Sequence, residues 1–369
     1  MTPALADLHV DATALRASID AELEADVADL SVIADGLNLV LSVSTTSDRD
    51  AYVVRSPRKL RDASYMNDLR TEHAVLERLA DGPVPTPDPV AFCGDDAALG
   101  EPFVVLERVP GDVVPLGSDL PARFRTPGAR ERVADALVDV LASIHGLDAD
   151  RFEDVLDRHS PREQVERSRD RLAATTDATG LDVPRLHAVG DWLREHAPPG
   201  GAVDATLVHG DYRPGNAVFA PGGDPEIPGV LDWETVFVGD PLTELGYLLL
   251  RWRDPGDPTP DLDAIAARYP DHDDELSRLR RVNADGFAPF TSSPGSPTRG
   301  DLVARYEAAT GREFTDARFY LALAAFDLAT VWTDLHRDAV EAGRDSAWPP
   351  HVAHLARVAE LVVDGDLVA

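Results

Sequence analysis

"LVHGDYRPGN", residues 207–216, and "GVLDWE", residues 229–234, decide how this chain is read. The first stretch sets Asp211, Arg213 and Asn216 around Pro214-Gly215, a pair that lets a loop turn sharply. The second sets Asp232 just past a short apolar run. Phosphoryl transfer asks a protein mainly for positioning and charge neutralisation. It needs one carboxylate near an acceptor hydroxyl and further oxygen ligands holding Mg²⁺ against the phosphates. Asp211, Asn216 and Asp232 are the types required, on a tight loop and at the end of an adjacent strand. Taken singly, each reads better as an Asx-turn residue.

Upstream of these motifs, residues 3–30 read as helical and very acidic. Over 32–56, "LVLSVST" and "AYVVR" read as two strands of a hairpin with Gly36 at its mouth. Apolar spacing predicts a helix over 64–82, stopped by Gly82. "PVPTPDPV" is an extended connector, turn residues fill 93–100, "PFVVLERV" (102–109) is a strand, and 110–117 is a linker. Beyond it the pattern is helical. One apolar face runs through Val133, Leu137, Val140, Leu141 and Ile144, and further helices are expected at 161–175 and 184–196. Short strands flank the two motifs. Helices follow at 241–252, 261–268, 273–281, 299–309, 316–338 and 349–363. The expectation is an α+β chain with a small β-rich N-lobe over 1–109 and a large, mostly helical C-lobe over 110–369.

Composition narrows the setting. The formal charge is −31, and Lys59 is the only lysine among 35 basic residues. The acids are spread along the chain, as on the solvated surfaces of extreme halophiles, where salt screens self-repulsion. Such a surface disfavours nucleic acid as a partner. Cys93 is the only cysteine, which excludes an intrachain disulfide and a cysteine-based zinc site. The opening "MTPALADLHVD" lacks a signal-peptide pattern, and the greasiest window, 319–332, is short and contains Asp327. A cytoplasmic protein off the membrane is expected.

"HGDYRPGN" followed by "LDWE" resembles the catalytic and metal loops of the aminoglycoside phosphotransferase-like family, which has a two-lobed protein-kinase-like fold. The order of other motifs agrees: "YVVR", "LRTEHAVLERL", "VVLERVPG" and "LASIHGLD". The kinase-like domains associated with acyl-CoA dehydrogenases are still more similar, through "VHGDYRPGN", "VLDWETVFVGDPLTELGYLL" and "ARYEAATGREFTDARFYLALAAFDLA". The resemblance covers residues 30–340. It implies that Asp211 orients the acceptor hydroxyl, that Arg213 touches the transferred phosphate or pairs with a surface acid, and that Asn216 and Asp232 hold Mg²⁺. It implies that Arg55 faces the phosphates of ATP or GTP and that Glu72 fixes it. The backbone from Glu107 to Val109 meets the base, and the loop 36–45, with Gly36, Asn38, Ser42 and Ser44, covers the phosphates. Two departures stand out: the loop holds one glycine, and an arginine occupies the usual lysine position. The bland readings make His209 a loop fastener and Glu234 a salt bridge behind Asp232, with a further metal ligand as the alternative for Glu234.

The implied activity is ATP- and Mg²⁺-dependent O-phosphorylation of a small molecule. The dehydrogenase-associated branch implies a hydroxyacyl-CoA acceptor and a functional link to an acyl-CoA dehydrogenase. Aminoglycosides, sugars and choline-type alcohols are the rivals within the enzyme class. A nucleotide-binding pseudokinase scaffold is the rival outside it. The residues that decide among acceptors are Arg162, Arg167, Arg169 and Arg171 in one segment and "DHDDE", 271–275, in another. Arginines suit CoA phosphates, and acids suit a cation.

Overall fold

The computed structural model describes residues 5–8, 10–23, 25–60, 63–94, 99–199 and 204–369. A helix, α1 (Ala12–Leu23), precedes a five-stranded antiparallel sheet. Its strands are β1 (Val27–Asp35), β2 (Asn38–Thr45), β3 (Tyr52–Pro57), β4 (Pro89–Cys93) and β5 (Phe103–Glu107), in the order β1-β2-β3-β5-β4. The helix α2 (Leu69–Leu79) lies between β3 and β4 in sequence. The side chain of Asp68 caps it by accepting from the Thr71 N–H at 2.7 Å.

Successive residues of β5 face opposite ways. Phe103 and Val105 join Leu15, Ile19, Leu41 and Val54 in a core under α1. Val104 and Leu106 join α2 in the main core, which continues into the helical part. The sheet is thus buried on both faces.

The helical part comprises α3 (Pro127–His145), α4 (Pro161–Thr179), α5 (Pro184–His196), α6 (Pro241–Arg251), α7 (Asp263–Arg268), α8 (Asp273–Asp285), α9 (Arg299–Thr310), α10 (Ala317–Glu341) and α11 (Trp348–Asp364). The helix α10 is apolar nearly all round, so it sits in the middle, against α4, α5, α6 and α11. Two small ladders are embedded there. The strand β10 (Phe237–Gly239) lies between β6 (Arg158–His159) and β7 (Thr206–Val208), and β8 (Ala217–Val218) pairs with β9 (Gly229–Val230). The fold is therefore α+β, a small sheet region beside a larger helical one.

Several expectations need correction. The N-terminal helix stops at Leu23 and the chain is already a strand at Val27, because β1 completes the sheet beside β2. The region 32–56 therefore belongs to three strands. Residues 38–45 are strand β2 and not a covering loop, and only Gly36 and Leu37 form the turn. The proline connector runs into β4 at Pro89. Of the turn expected at 93–100, residues 95–98 lie outside the described residues, as do 3, 4, 9 and 24 of the expected N-terminal helix and the first four residues of the segment read for a signal peptide.

Candidate active site

The strand β7 ends at Val208 and delivers the chain into the loop 209–216. Phe237 of β10 pairs with Val208, so the segment 231–236 runs beside that loop. The two approach closely at Gly210. Its φ is +86°, and a Cβ there would lie 2.4 Å from the Thr235 carbonyl oxygen, so only glycine fits. Thr235 Oγ1 donates to the His209 carbonyl at 3.1 Å.

Buried Glu244, on α6, fastens the loop from below. Its carboxylate accepts from the His209 N–H at 3.0 Å and the Gly210 N–H at 2.7 Å. His145 of α3 donates to it through Nε2 at 3.1 Å, while His145 Nδ1 accepts from the Tyr306 hydroxyl at 2.8 Å. Burial alone raises the Glu244 pKa, but the hydrogen bonds from the His145 ring and the His209 backbone leave it lowered. His209 acts as the expected fastener. Its Nδ1 accepts from the Asp211 N–H at 3.2 Å, and its Nε2 donates to the Leu231 carbonyl at 2.9 Å.

Asp211 is gripped from three sides. Oδ1 accepts from the Tyr247 hydroxyl at 2.6 Å; Oδ2 accepts from Asn216 Nδ2 at 2.9 Å and Arg213 Nε at 3.2 Å. Arg251 donates in turn to the Tyr247 hydroxyl. Burial pushes this carboxyl up, but the guanidinium groups of Arg213 and Arg251 and the Tyr247 bond hold it below the usual carboxylate range. Asp211 is therefore ionised. Arg213 is half-buried and pairs with Asp211 itself rather than with a distant surface acid.

The β8–β9 ladder brings Asn216 beside Asp232. Ala217 pairs with Val230, and the Asn216 carbonyl accepts from the Leu231 N–H at 2.8 Å. Asn216 spends Nδ2 on Asp211, through the carboxylate and also the carbonyl at 2.9 Å. Its Oδ1 stays an acceptor. Asp232 has left-handed backbone, φ 63°, a conformation that short polar side chains tolerate and that gathers at functional sites. Burial, then repulsion from Glu234, raises its pKa. Among the described residues no group of three or more His, Cys, Asp and Glu side chains is arranged to hold a metal by itself. One crowded carboxylate and one amide oxygen nonetheless fit Mg²⁺, which takes a few protein oxygens and completes its shell with water and phosphate.

On the sheet, Arg55 is buried, and its two Nη groups go to separate acids. One pairs with Glu72 of α2, the other with Glu234 at 2.5 Å. Asn38 Nδ2 donates to the same Glu234 oxygen at 2.8 Å. The salt bridge read for Glu234 is present, with Arg55 as its partner. Gly36 stands at the β1–β2 turn, where a Cβ would meet nothing within 4 Å. The hydroxyls of Ser42 and Ser44 turn to Asp50, at 2.8 and 3.4 Å. At the end of β5 the Glu107 N–H is taken by the Asp88 carbonyl at 2.9 Å. The Val109 side chain lies close enough to Gly229 that a Cβ there would come within 2.8 Å of it.

A cavity of about 430 Å³ opens from this cluster. Asp211, Arg213 and Asp232 line it, as do Arg167 and Arg171 of α4 and Leu328, Val331 and Trp332 of α10. The other candidate acceptor residues separate. Arg162 is exposed, Arg169 pairs with Asp191 at 2.7 Å, and 271–275 does not line the cavity. Tyr247, Arg251, Glu244 and His145 were not singled out from the sequence. A signal existed for three of them: 244, 247 and 251 share one face of a helix.

The sequence profile of the phosphotransferase enzyme family (APH) matches residues 29–281. "Probable acyl-CoA dehydrogenase IBR3" of Arabidopsis thaliana is 27% identical over 310 residues, 80% of this chain; the chain spans 34% of that relative's length. A crystal structure from Ralstonia eutropha JMP134, described as a candidate aminoglycoside phosphotransferase, superposes with a TM-score of 0.71 at 26% identity, covering 97% of this chain and 98% of that one. The complex of spectinomycin phosphotransferase APH(9)-Ia with ADP and spectinomycin superposes at 0.58 with 12% identity, covering 97% and 99%.

Proposed function

The chain belongs to the phosphotransferase enzyme family, and from that premise we propose that it moves the terminal phosphoryl group of ATP or GTP onto the hydroxyl of a hydroxyacyl-CoA. The observation that carries the reading is the ionised carboxylate of Asp211, fixed by Tyr247, Asn216 and Arg213, on the wall of a cavity that also holds arginine and apolar side chains.

In this reading the acceptor hydroxyl donates a hydrogen bond to Asp211, which aims its oxygen at the terminal phosphorus. The new O–P bond forms as the bond from that phosphorus to the bridging oxygen breaks, and the nucleoside diphosphate leaves. A carboxylate held below its usual pKa is a weak base, so Asp211 mainly orients the hydroxyl and takes the proton late. Arg213, held against Asp211, would offset charge on the transferred phosphoryl group. Asn216 and Asp232 would hold Mg²⁺, which neutralises phosphate charge when bound. Arg55, steadied by Glu72, faces the donor phosphates from the sheet.

The acceptor assignment rests on the residues that line the cavity together with Asp211. Arg167 suits a phosphate, and Leu328, Val331 and Trp332 make a slot for an acyl chain. The dehydrogenase relative supports a link to an enzyme acting on such thioesters. The test is a mass-spectrometric turnover screen with ATP against hydroxyacyl-CoAs, free hydroxy acids, aminoglycosides and choline. Phosphorylated acyl-CoA is the expected product. An Arg167→Ala variant should raise the KM for the thioester about ten-fold, the scale of a charge-assisted contact, with the ATP KM unchanged. High kcat/KM on an aminoglycoside alone would overturn the acceptor class, and no turnover of any acceptor would favour a nucleotide-binding scaffold.

A further inference from the structure

Two donors from adjacent strands of the sheet, Asn38 Nδ2 on β2 and Arg55 Nη1 on β3, converge on one oxygen, Oε2 of Glu234, at 2.8 and 2.5 Å. Such convergence describes an anion subsite. A third donor, Arg55 Nε, is buried there with no partner among the described residues. The anion that fills the subsite comes from the other side of the cleft, two residues after Asp232.

The backbone that carries Glu234 is pinned independently of its side chain. The Asn67 N–H donates to the Glu234 carbonyl at 2.7 Å, and Asn67 Nδ2 donates to the Val236 carbonyl at 2.7 Å. The Glu234 carboxylate can therefore leave Arg55 by side-chain rotation while the loop stays in place. Glu72 remains on the other Nη group, so Arg55 keeps its position when Glu234 departs.

Resting on the phosphotransferase reading, we infer that Glu234 is an internal competitor of the donor nucleotide. Its carboxylate occupies the Asn38/Arg55 subsite that a phosphate oxygen of the donor takes, and nucleotide binding displaces it. Glu234 is thus a positioning residue that weakens nucleotide affinity, not a ligand that creates it.

The test is the affinity of wild type, Glu234→Gln and Glu234→Asp for ADP and ATP, with and without Mg²⁺, by calorimetry. Gln removes the charge; Asp keeps it but draws the carboxylate back by one methylene. Both variants should bind nucleotide roughly ten-fold more tightly, the scale of one charge-assisted contact, and the gain should persist without Mg²⁺. If Gln fails to give a cooperative melt, Asp carries the same expectation. Unchanged or weaker affinity in both variants, with a wild type that binds, overturns the competitor role and leaves the phosphotransferase reading standing. No binding by any of the three proteins overturns both.

Discussion

The Tyr247 hydroxyl donates to Oδ1 of Asp211 at 2.6 Å, and Arg251 donates to that hydroxyl from one helical turn further along α6. Asp211 thus takes its orientation from a helix as well as from its own loop. Tyr247→Phe should lower kcat about ten-fold and leave the nucleotide KM unchanged, because one hydrogen bond to the Asp211 carboxylate is lost. The pH profile should move too. Asp211 must be ionised, and its pKa is held down, so activity survives as pH falls until that lowered pKa is reached. Without the Tyr247 bond the pKa rises, and the acid limb shifts upward in pH. An unchanged kcat and acid limb would contradict this role.

Asn216 and Asp232 should differ as metal residues. Asp232→Ala should weaken Mg²⁺-dependent nucleotide binding more than Asn216→Ala, since it removes a full charge from the ion's neighbourhood. Calorimetric titration of Mg·ATP into both variants decides this. Wild-type affinity in both would remove them from metal binding.

The motif residues were legible because they are close in sequence and their types are chemically demanding. "HGDYRPGN" and "LDWE" do meet, through the pairing of Val208 with Phe237 and of Ala217 with Val230. The support behind them was hard to read. His145, Glu244 and Tyr306 join through helix packing across long sequence gaps, and each alone looks like an ordinary helix residue. The strand β1 was misread because it continues an acidic stretch, and its place is fixed by pairing with β2 rather than by propensity. The contact of Glu234 with Asn38 spans the cleft, and no local pattern announces it.

Asp327 faces the cavity from α10, and burial lifts its carboxyl to about 6. A raised carboxyl pKa costs stability when the group is ionised. That cost is full at pH above about 6 and fades as pH falls toward the ordinary carboxylate value. Asp327→Asn should therefore be more stable than wild type at pH 7.5 by on the order of 2 kcal/mol, with the gap closing toward pH 4.5. Urea melts at both pH values check it. A wild type more stable at pH 7.5 would contradict it.

With a formal charge of −31, the fold should gain stability as KCl rises well beyond physiological strength. A melting series from 0.1 to 3 M KCl reads this directly. A flat or falling melting temperature would sink the halophilic reading of the surface.

The most direct test of the central claim is single-turnover phosphoryl transfer from labelled ATP to a hydroxyacyl-CoA, by wild type and Asp211→Asn. The variant is nearly isosteric and removes the negative charge of the carboxylate that lines the cavity. The account expects transfer to fall by a factor on the order of 10³, while nucleotide affinity stays within about two-fold of wild type. Transfer by Asp211→Asn at close to the wild-type rate would contradict it.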